Sequence, residues 1–245
     1  MKKLFAVLLA ICLMIPAIAA MAETEKLTMG TNAAFAPYEY YENGVIVGID
    51  AEIAAAIAEK LGMELEIIDM DFDAIISAVT AGKVMIGMAG MTVTPERLQN
   101  VNFSNTYSIG IQSIIVPEGS PITSVDDLAN PEYLIGVQKG TTGHLYCESD
   151  FGTERVMPYK NGPDAVMALV NGSVDCVVID NEPAKRLVAA NEGLTILETA
   201  YSEEEYAICM ALDNTELLEK INAALDELLD DGTVQAIVDK YITEE

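Results

Sequence analysis

IISAVTAGKVMIGMAGM (residues 75–91) and VMALVNGSVDCVVIDN (residues 166–181) are two versions of one pattern, and together they decide the fold. Each begins with apolar residues at helical spacing, stops at a glycine (Gly82, Gly172), runs through a short apolar strand and ends in a polar turn. A helix feeding a strand belongs to the βαβ type of unit, which builds α/β sheets with helices on their faces. The copies lie too far apart for a solenoid repeat. They mark two lobes of similar build, each offering polar groups at the carboxyl end of a strand, where open α/β sheets bind ligands.

The same alternation extends outward in both directions. Residues 27–30 and 65–68 read as strands around a helix that Asp50 caps, with Ile53, Ile57 and Leu61 one turn apart and Gly62 at its end. Asp73 opens the helix that closes at Gly82, and residues 84–88 form the next strand. Thr94 caps a short helix with Pro95 in its first turn. Beyond residue 107, strands are read at 111–116, 134–138 and 176–179. Helices are read from Ser124, after the KGTTG turn (139–143), at 161–170 and at 182–190. Residues 206–210 form a strand. Residues 215–229 form an amphipathic helix with Leu218, Ile221, Leu225 and Leu228 on one side, and 233–241 form the last helix.

The first residues are set apart from this pattern. Lys2 and Lys3, the apolar run 4–15, Pro16 and the small-x-small Ala20-Met21-Ala22 read as a signal peptide over residues 1–22. A lipid anchor on Cys12 is the weaker reading, because Ile11 stands where a small residue is expected. The mature chain is read as exported, periplasmic or extracytoplasmic. Its 13 Lys and Arg against 39 Asp and Glu give a net charge of −26, or −28 without Lys2 and Lys3. That excludes nucleic acid and anionic membrane as partners. Cys147, Cys176 and Cys209 match no metal spacing, so no metal site is expected. Cys176 and Cys209 lie in apolar runs and read as buried thiols, with one disulfide as the alternative.

Five features converge on a cleft. Arg97 follows Gly90 and Thr92, and a guanidinium can grip a carboxylate with two parallel hydrogen bonds. Gly140-Thr141-Thr142-Gly143 precedes a helix, whose first N–H groups suit an anion. Asp180 ends the second repeat's strand, where it could hold an ammonium or simply cap the next helix. Phe35 and Phe72 end strands of the first lobe and read as cleft walls or as core. Asn32 and Asp50 are polar groups near Phe35. A cation for a carboxylate, an anion for an ammonium and flat apolar walls between them describe an α-amino-acid site. His144, near the cleft mouth, reads as a solvated helix-start residue, with a ligand contact as the alternative.

The stretches GTNAAFAPYEY (30–40), VGIDAEIAAAIAEKLG (47–62), MDFDAIISAVTAGKV (70–84), AGMTVTPER (89–97), FSNTYS (103–108), GVQKGTTG (136–143), VVIDNEPA (177–184) and DDGTVQAIVDKY (230–241) resemble the polar amino-acid family of solute-binding proteins that feed ABC importers, family 3. The resemblance implies a type II periplasmic-binding-protein fold, with two mixed α/β lobes flanked by helices and joined by two strands. Residues 23–106 and 205–245 would form one lobe and 107–204 the other, with hinges near 107–111 and 202–206. Arg97 and the Thr142 N–H would hold the α-carboxylate. Asp180, the Gly90 carbonyl and the Thr92 hydroxyl would hold the α-ammonium. Phe35 and Phe72 would flank the side chain, and Asn32, Asp50 and Gln138 would meet its far end. The partners implied are a free amino acid and an ABC permease, with no cofactor, no enzymatic activity and a monomeric state. Asn32 stands where members that bind cationic amino acids often carry Asp, which favours a neutral or polar ligand, while Asp50 keeps a basic one open. The alternatives are a cyclohexadienyl (prephenate/arogenate) dehydratase on the same fold, with Asp180, Glu182 or His144 as its acid, and a ligand-binding sensor partner.

Overall fold

In the computed structural model, residues 24–242 are described; the expected signal peptide and Cys12 lie outside them. The chain opens with β1 (Lys26–Thr31), the short strands β2 (Ala34–Phe35), β3 (Glu39–Glu42) and β4 (Val45–Val47), and α1 (Ile49–Leu61). There follow β5 (Glu64–Asp69), α2 (Ile75–Thr80), β6 (Ile86–Gly87) and β7 (Val101–Phe103). The middle of the chain is β8 (Ser108–Pro117), β9 (Ile135–Gln138), α3 (Thr142–Phe151), β10 (Val156–Tyr159), α4 (Gly162–Val170), β11 (Cys176–Asp180), α5 (Asn181–Ala189), β12 (Leu194–Ile196) and β13 (Ser202–Tyr206). It closes with β14 (Cys209–Ala211), α6 (Thr215–Asp230) and α7 (Thr233–Tyr241).

Two sheets organise these elements into two lobes. The first runs β5-β1-β6-β14-β7, with parallel pairs around β1 and antiparallel pairs around β14. The second runs β10-β9-β11-β8-β12, parallel around β9 and antiparallel on β8, which also carries β13. Every strand of the second sheet lies between residues 108 and 206, so the chain passes between the sheets twice. Those two passages pair with each other: Tyr107 N–H donates to Tyr206 O at 3.0 Å and Ser104 N–H to Ile208 O at 2.9 Å. Gly110 is pressed against Tyr206 here; a Cβ at that position would lie 2.2 Å from the ring, so glycine leaves the room that the tyrosine side chain occupies.

Apolar periodicity explains the packing. Ile53 and Ile57 of α1 are fully buried with Ile221 and Leu225 of α6 and with Leu27 and Met29 of β1 in one core cluster. In the second lobe, Ile114, Val116, Ile135, Val137, Cys176 and Val178 come from neighbouring strands and form a separate cluster. Gly82 and Gly172 each follow a helix at positive φ, 66° and 69°, and lead toward β6 and β11, matching the repeat in the sequence. Cys147, Cys176 and Cys209 are buried and free, and burial pushes all three thiols upward.

Several local features differ from the sequence expectation; the strand expected over 206–210, for one, is broken between β13, which ends at Tyr206, and β14, which starts at Cys209. Gly48, not Asp50, caps α1, and Asp50 lies fully buried in its first turn. Residues 72–74 form a 3-10 turn ahead of α2, so Asp73 does not open that helix. The three-stranded unit β2-β3-β4 went unread. Its signal is Glu42-Asn43-Gly44-Val45, an Asn-Gly pair with φ of 51° and 81° that turns β3 into β4.

Candidate functional site

A cavity between the two lobes is lined by Asn32, Phe35, Phe72, Gly90, Thr92 and Arg97 from the first and by Gln138, Thr142 and Asp180 from the second. Of the residues expected there, Asp50 alone does not line it. The cleft is closed over this cavity. Gln138 Nε2 donates to Asn32 Oδ1 at 2.9 Å, and Arg97 Nη2 donates to Gly140 O at 3.1 Å. At the rim, ion pairs join Lys139 to Asp73 at 2.8 Å and Lys160 to Asp71 at 3.0 Å.

Arg97 is positioned by local chain geometry. Its N–H donates to Thr94 Oγ1 at 3.2 Å, but the 3-10 turn Arg97–Gln99 has Glu96 at its cap position, so Thr94 braces the turn from outside rather than capping a helix as expected. Its side chain folds back, so that Nη1 donates to Thr92 O at 2.7 Å, and the guanidinium stands 5.4 Å from the Phe72 ring centre. Burial draws its pKa below the usual value, opposed by Glu204, and a guanidinium remains cationic under such a shift. Thr142 opens α3, so its N–H is a first-turn donor without an intrahelical acceptor. Both residues line the cavity and put positive charge on its wall.

Asp180 supplies the opposite charge. It caps α5, accepting from Glu182 N–H at 2.9 Å, while its other oxygen accepts from Tyr206 OH at 2.7 Å and Ile111 N–H at 3.1 Å. The helix-cap and cleft roles therefore coexist in one residue. Burial raises its pKa to about 7, against the lowering effect of those three donors. Thr92 Oγ1 donates to the buried Glu204 at 2.9 Å, which leaves the hydroxyl oxygen as an acceptor toward the cavity.

Gly90 takes φ 52°, and a Cβ there would stand 2.8 Å from Phe35, so the chain needs glycine at this wall. Asp50 sits behind it: Oδ2 accepts from Gly90 N–H at 2.8 Å and from Tyr107 OH at 2.9 Å. Asp50 thus braces the Gly90 peptide against Tyr107. Burial raises its pKa to about 6. Asn32 is held at both ends, its Nδ2 donating to Met70 O at 2.8 Å and its Oδ1 accepting from Gln138.

The sequence reading missed several wall residues, among them Gln112, Tyr206 and Glu39. Glu39 pairs directly with Phe35 across β2 and β3, so both side chains leave the same face. The Asn-Gly turn was the signal that would have revealed it. His144 is neither solvated nor on the cavity wall: its Nδ1 accepts from Gly140 N–H at 3.2 Å and its Nε2 lies 3.3 Å from Glu148. Among the described residues no cluster of three His, Cys, Asp or Glu could hold a metal, and no helix is long and apolar enough to cross a membrane.

Two lobes closed over a charge-paired cavity define a two-lobed binding-protein fold with a small-solute site. Residues 27–244 match the bacterial extracellular solute-binding proteins, family 3, and the chain belongs to that family. It is 34% identical to the arginine-binding extracellular protein ArtP of Bacillus subtilis (strain 168), over 90% of this chain and 88% of that one. An ancestral arginine-binding protein bound to glutamine superposes with a TM-score of 0.85 at 40% identity, covering 91% of this chain and all of that one. The arginine-, lysine-, histidine-binding protein ArtJ from Geobacillus stearothermophilus gives a TM-score of 0.84 at 33% identity, covering 90% and 96%.

Proposed function

We propose that this chain captures a free α-amino acid between its two lobes outside the cytoplasm and delivers it to an ABC importer. One observation carries the reading: Arg97 from one lobe and Asp180 from the other line the same closed cavity. A cation and a carboxylate fixed on opposite walls complement the two charges of a zwitterion. In this reading Arg97 and the Thr142 N–H hold the α-carboxylate. Asp180, the Thr92 oxygen and the Gly90 carbonyl hold the ammonium, and Phe35 and Phe72 flank the side chain. Residues 23–106 with 205–245, and residues 107–204, act as the moving lobes, with hinges near 107–111 and 202–206. Residues 1–22 act as a cleaved signal peptide, and the mature chain works as a monomer.

The side chain recognised is one that brings hydrogen-bond donors. Asn32 is already satisfied at both ends, so its lack of a carboxylate says less than the sequence suggested. Glu39 instead puts a carboxyl on the cavity wall for which the protein supplies no donor. The relatives named above bind arginine, lysine, histidine or glutamine, all of which carry such donors. A dehydratase would need a general acid in the cavity. Of the acids expected for it, His144 and Glu182 do not line the cavity, and Asp180 lies there as the partner of the ammonium in the amino-acid reading.

A thermal-shift panel of amino acids tests the reading. A ligand at about a hundred times its dissociation constant adds about 2.7 kcal/mol of stability. A clear shift from at least one α-amino acid is expected; none from any of them would refute the function.

A further inference from the structure

Glu39 is fully buried on the cavity wall, and neither of its oxygens has a hydrogen-bond partner. The same holds for Asp50 Oδ1, the oxygen that Gly90 and Tyr107 leave over. The two carboxyls lie within hydrogen-bonding reach of each other. Both ionised, they would set three buried acceptors face to face without a donor, an arrangement that folded proteins avoid. One proton resolves it: a Glu39 hydroxyl donates to Asp50 Oδ1, as contacting like-charged carboxyls share a proton.

The surroundings offer no other relief. Asp50 of α1, Asp69 at the end of β5, Asp180 at the end of β11 and Tyr107 ahead of β8 face Glu39. Asp69 already accepts from Ala33 N–H and Tyr41 OH. Arg97 lines the same cavity, but it makes no hydrogen bond to Glu39, neither of whose oxygens has a partner. Burial, reinforced by Asp50, pushes the Glu39 carboxyl well above the usual carboxylate range.

We propose that Glu39 and Asp50 form a carboxyl pair holding one shared proton on the cavity wall, and that a ligand with a cationic side chain displaces this proton. The step balances: the Glu39 carboxylic acid plus the ligand cation gives the Glu39 carboxylate paired with that cation, and one proton passes to solvent. An amide side chain leaves the proton where it is. Glu39 is then the residue that separates cationic from neutral side chains, and the separation depends on pH. Because the α-ammonium meets Asp180 with either ligand, proton release at Asp180 is common to both. Arginine therefore releases about one proton more than glutamine, and its affinity gains about tenfold more per pH unit while the pair is protonated. This rests on the amino-acid reading above.

Two measurements test it. Infrared spectra of the ligand-free protein near neutral pH are expected to show a protonated-carboxyl C=O band that Glu39→Gln removes. Glutamine here keeps the shape of a protonated Glu39 and can itself donate to Asp50. Calorimetric titration of L-arginine and L-glutamine, in buffers of different ionisation enthalpy, is expected to give one extra proton released with arginine. That difference disappears in Glu39→Gln. A band unchanged by the substitution, or equal proton release by both ligands in the native protein, overturns the proposal. Failure of every amino acid to bind refutes the binding function instead, and the infrared band still decides the carboxyl pair.

Discussion

Replacing Arg97 with alanine removes the group on which the account depends, and the structure sets the size of the effect. A guanidinium has five N–H donors. One goes to Thr92 O at 2.7 Å and one to Gly140 O at 3.1 Å, which leaves three. Two of these suffice for a forked contact with a ligand carboxylate. Charge-assisted bonds contribute about 1.5–3 kcal/mol each, so losing the pair costs about 3–6 kcal/mol. At about 1.4 kcal/mol per decade, affinity falls by about a hundredfold to ten-thousandfold. Arg97→Lys keeps the charge and loses the fork, so its affinity should fall between the alanine variant and the native protein. Calorimetry with L-arginine reads the affinities, and thermal unfolding of each variant checks the fold. An alanine variant that folds and binds within about threefold of the native protein would refute the reasoning, since even one lost charge-assisted bond exceeds that.

Three further outcomes are expected. Gly90→Ala forces a Cβ to 2.8 Å from Phe35 at φ 52°, and should cost about 1–3 kcal/mol of stability and weaken binding. Gly119→Ala, at φ 77° with nothing within 4 Å, is the control that should leave binding unchanged in the same titration. The rim pairs Lys139–Asp73 and Lys160–Asp71 are exposed, so Lys139→Ala with Lys160→Ala should weaken affinity by less than about tenfold, as added salt should also do. Burial raises Asp180 to about 7, so its contribution to stability is present at acid pH and is lost as pH rises toward neutrality. An ammonium placed on Asp180 favours the ionised form, and the thermal shift from an amino acid should therefore grow between about pH 5 and about pH 8. A shift that stays flat or shrinks over that range would contradict the ammonium assignment.

The repeated helix–glycine–strand unit made the two-lobe architecture legible, because apolar periodicity and the glycine stop are local properties. Helices α6 and α7 were read almost to the residue for the same reason: Ile221 and Leu225 bury one side of α6 between the caps Asn214 and Asp231, and Gly232 marks the start of α7. Arg97, Thr92, Thr142 and Asp180 could be singled out because each sits beside a strand end or a helix start, where backbone geometry dictates direction. Asp50 and Glu39 were not legible in the same way. Asp50 reads as a helix cap, yet Gly48 takes that place and turns Asp50 inward toward Gly90 and Tyr107. Glu39 sits in a short strand whose register depends on the Asn43-Gly44 turn, and a register error of one residue would have turned it to solvent. Tyr206 and Glu204 reach the site only because the two interlobe passages pair, a long-range contact that no local pattern encodes.

The most direct test of the central claim is a crystal structure of the protein with the amino acid that ranks first in the thermal-shift panel. The amino acid is expected between the lobes, its α-carboxylate on the Arg97 guanidinium and the Thr142 N–H and its ammonium on Asp180. A saturating amino acid found outside this cavity, or seated with its carboxylate turned away from Arg97, would contradict it.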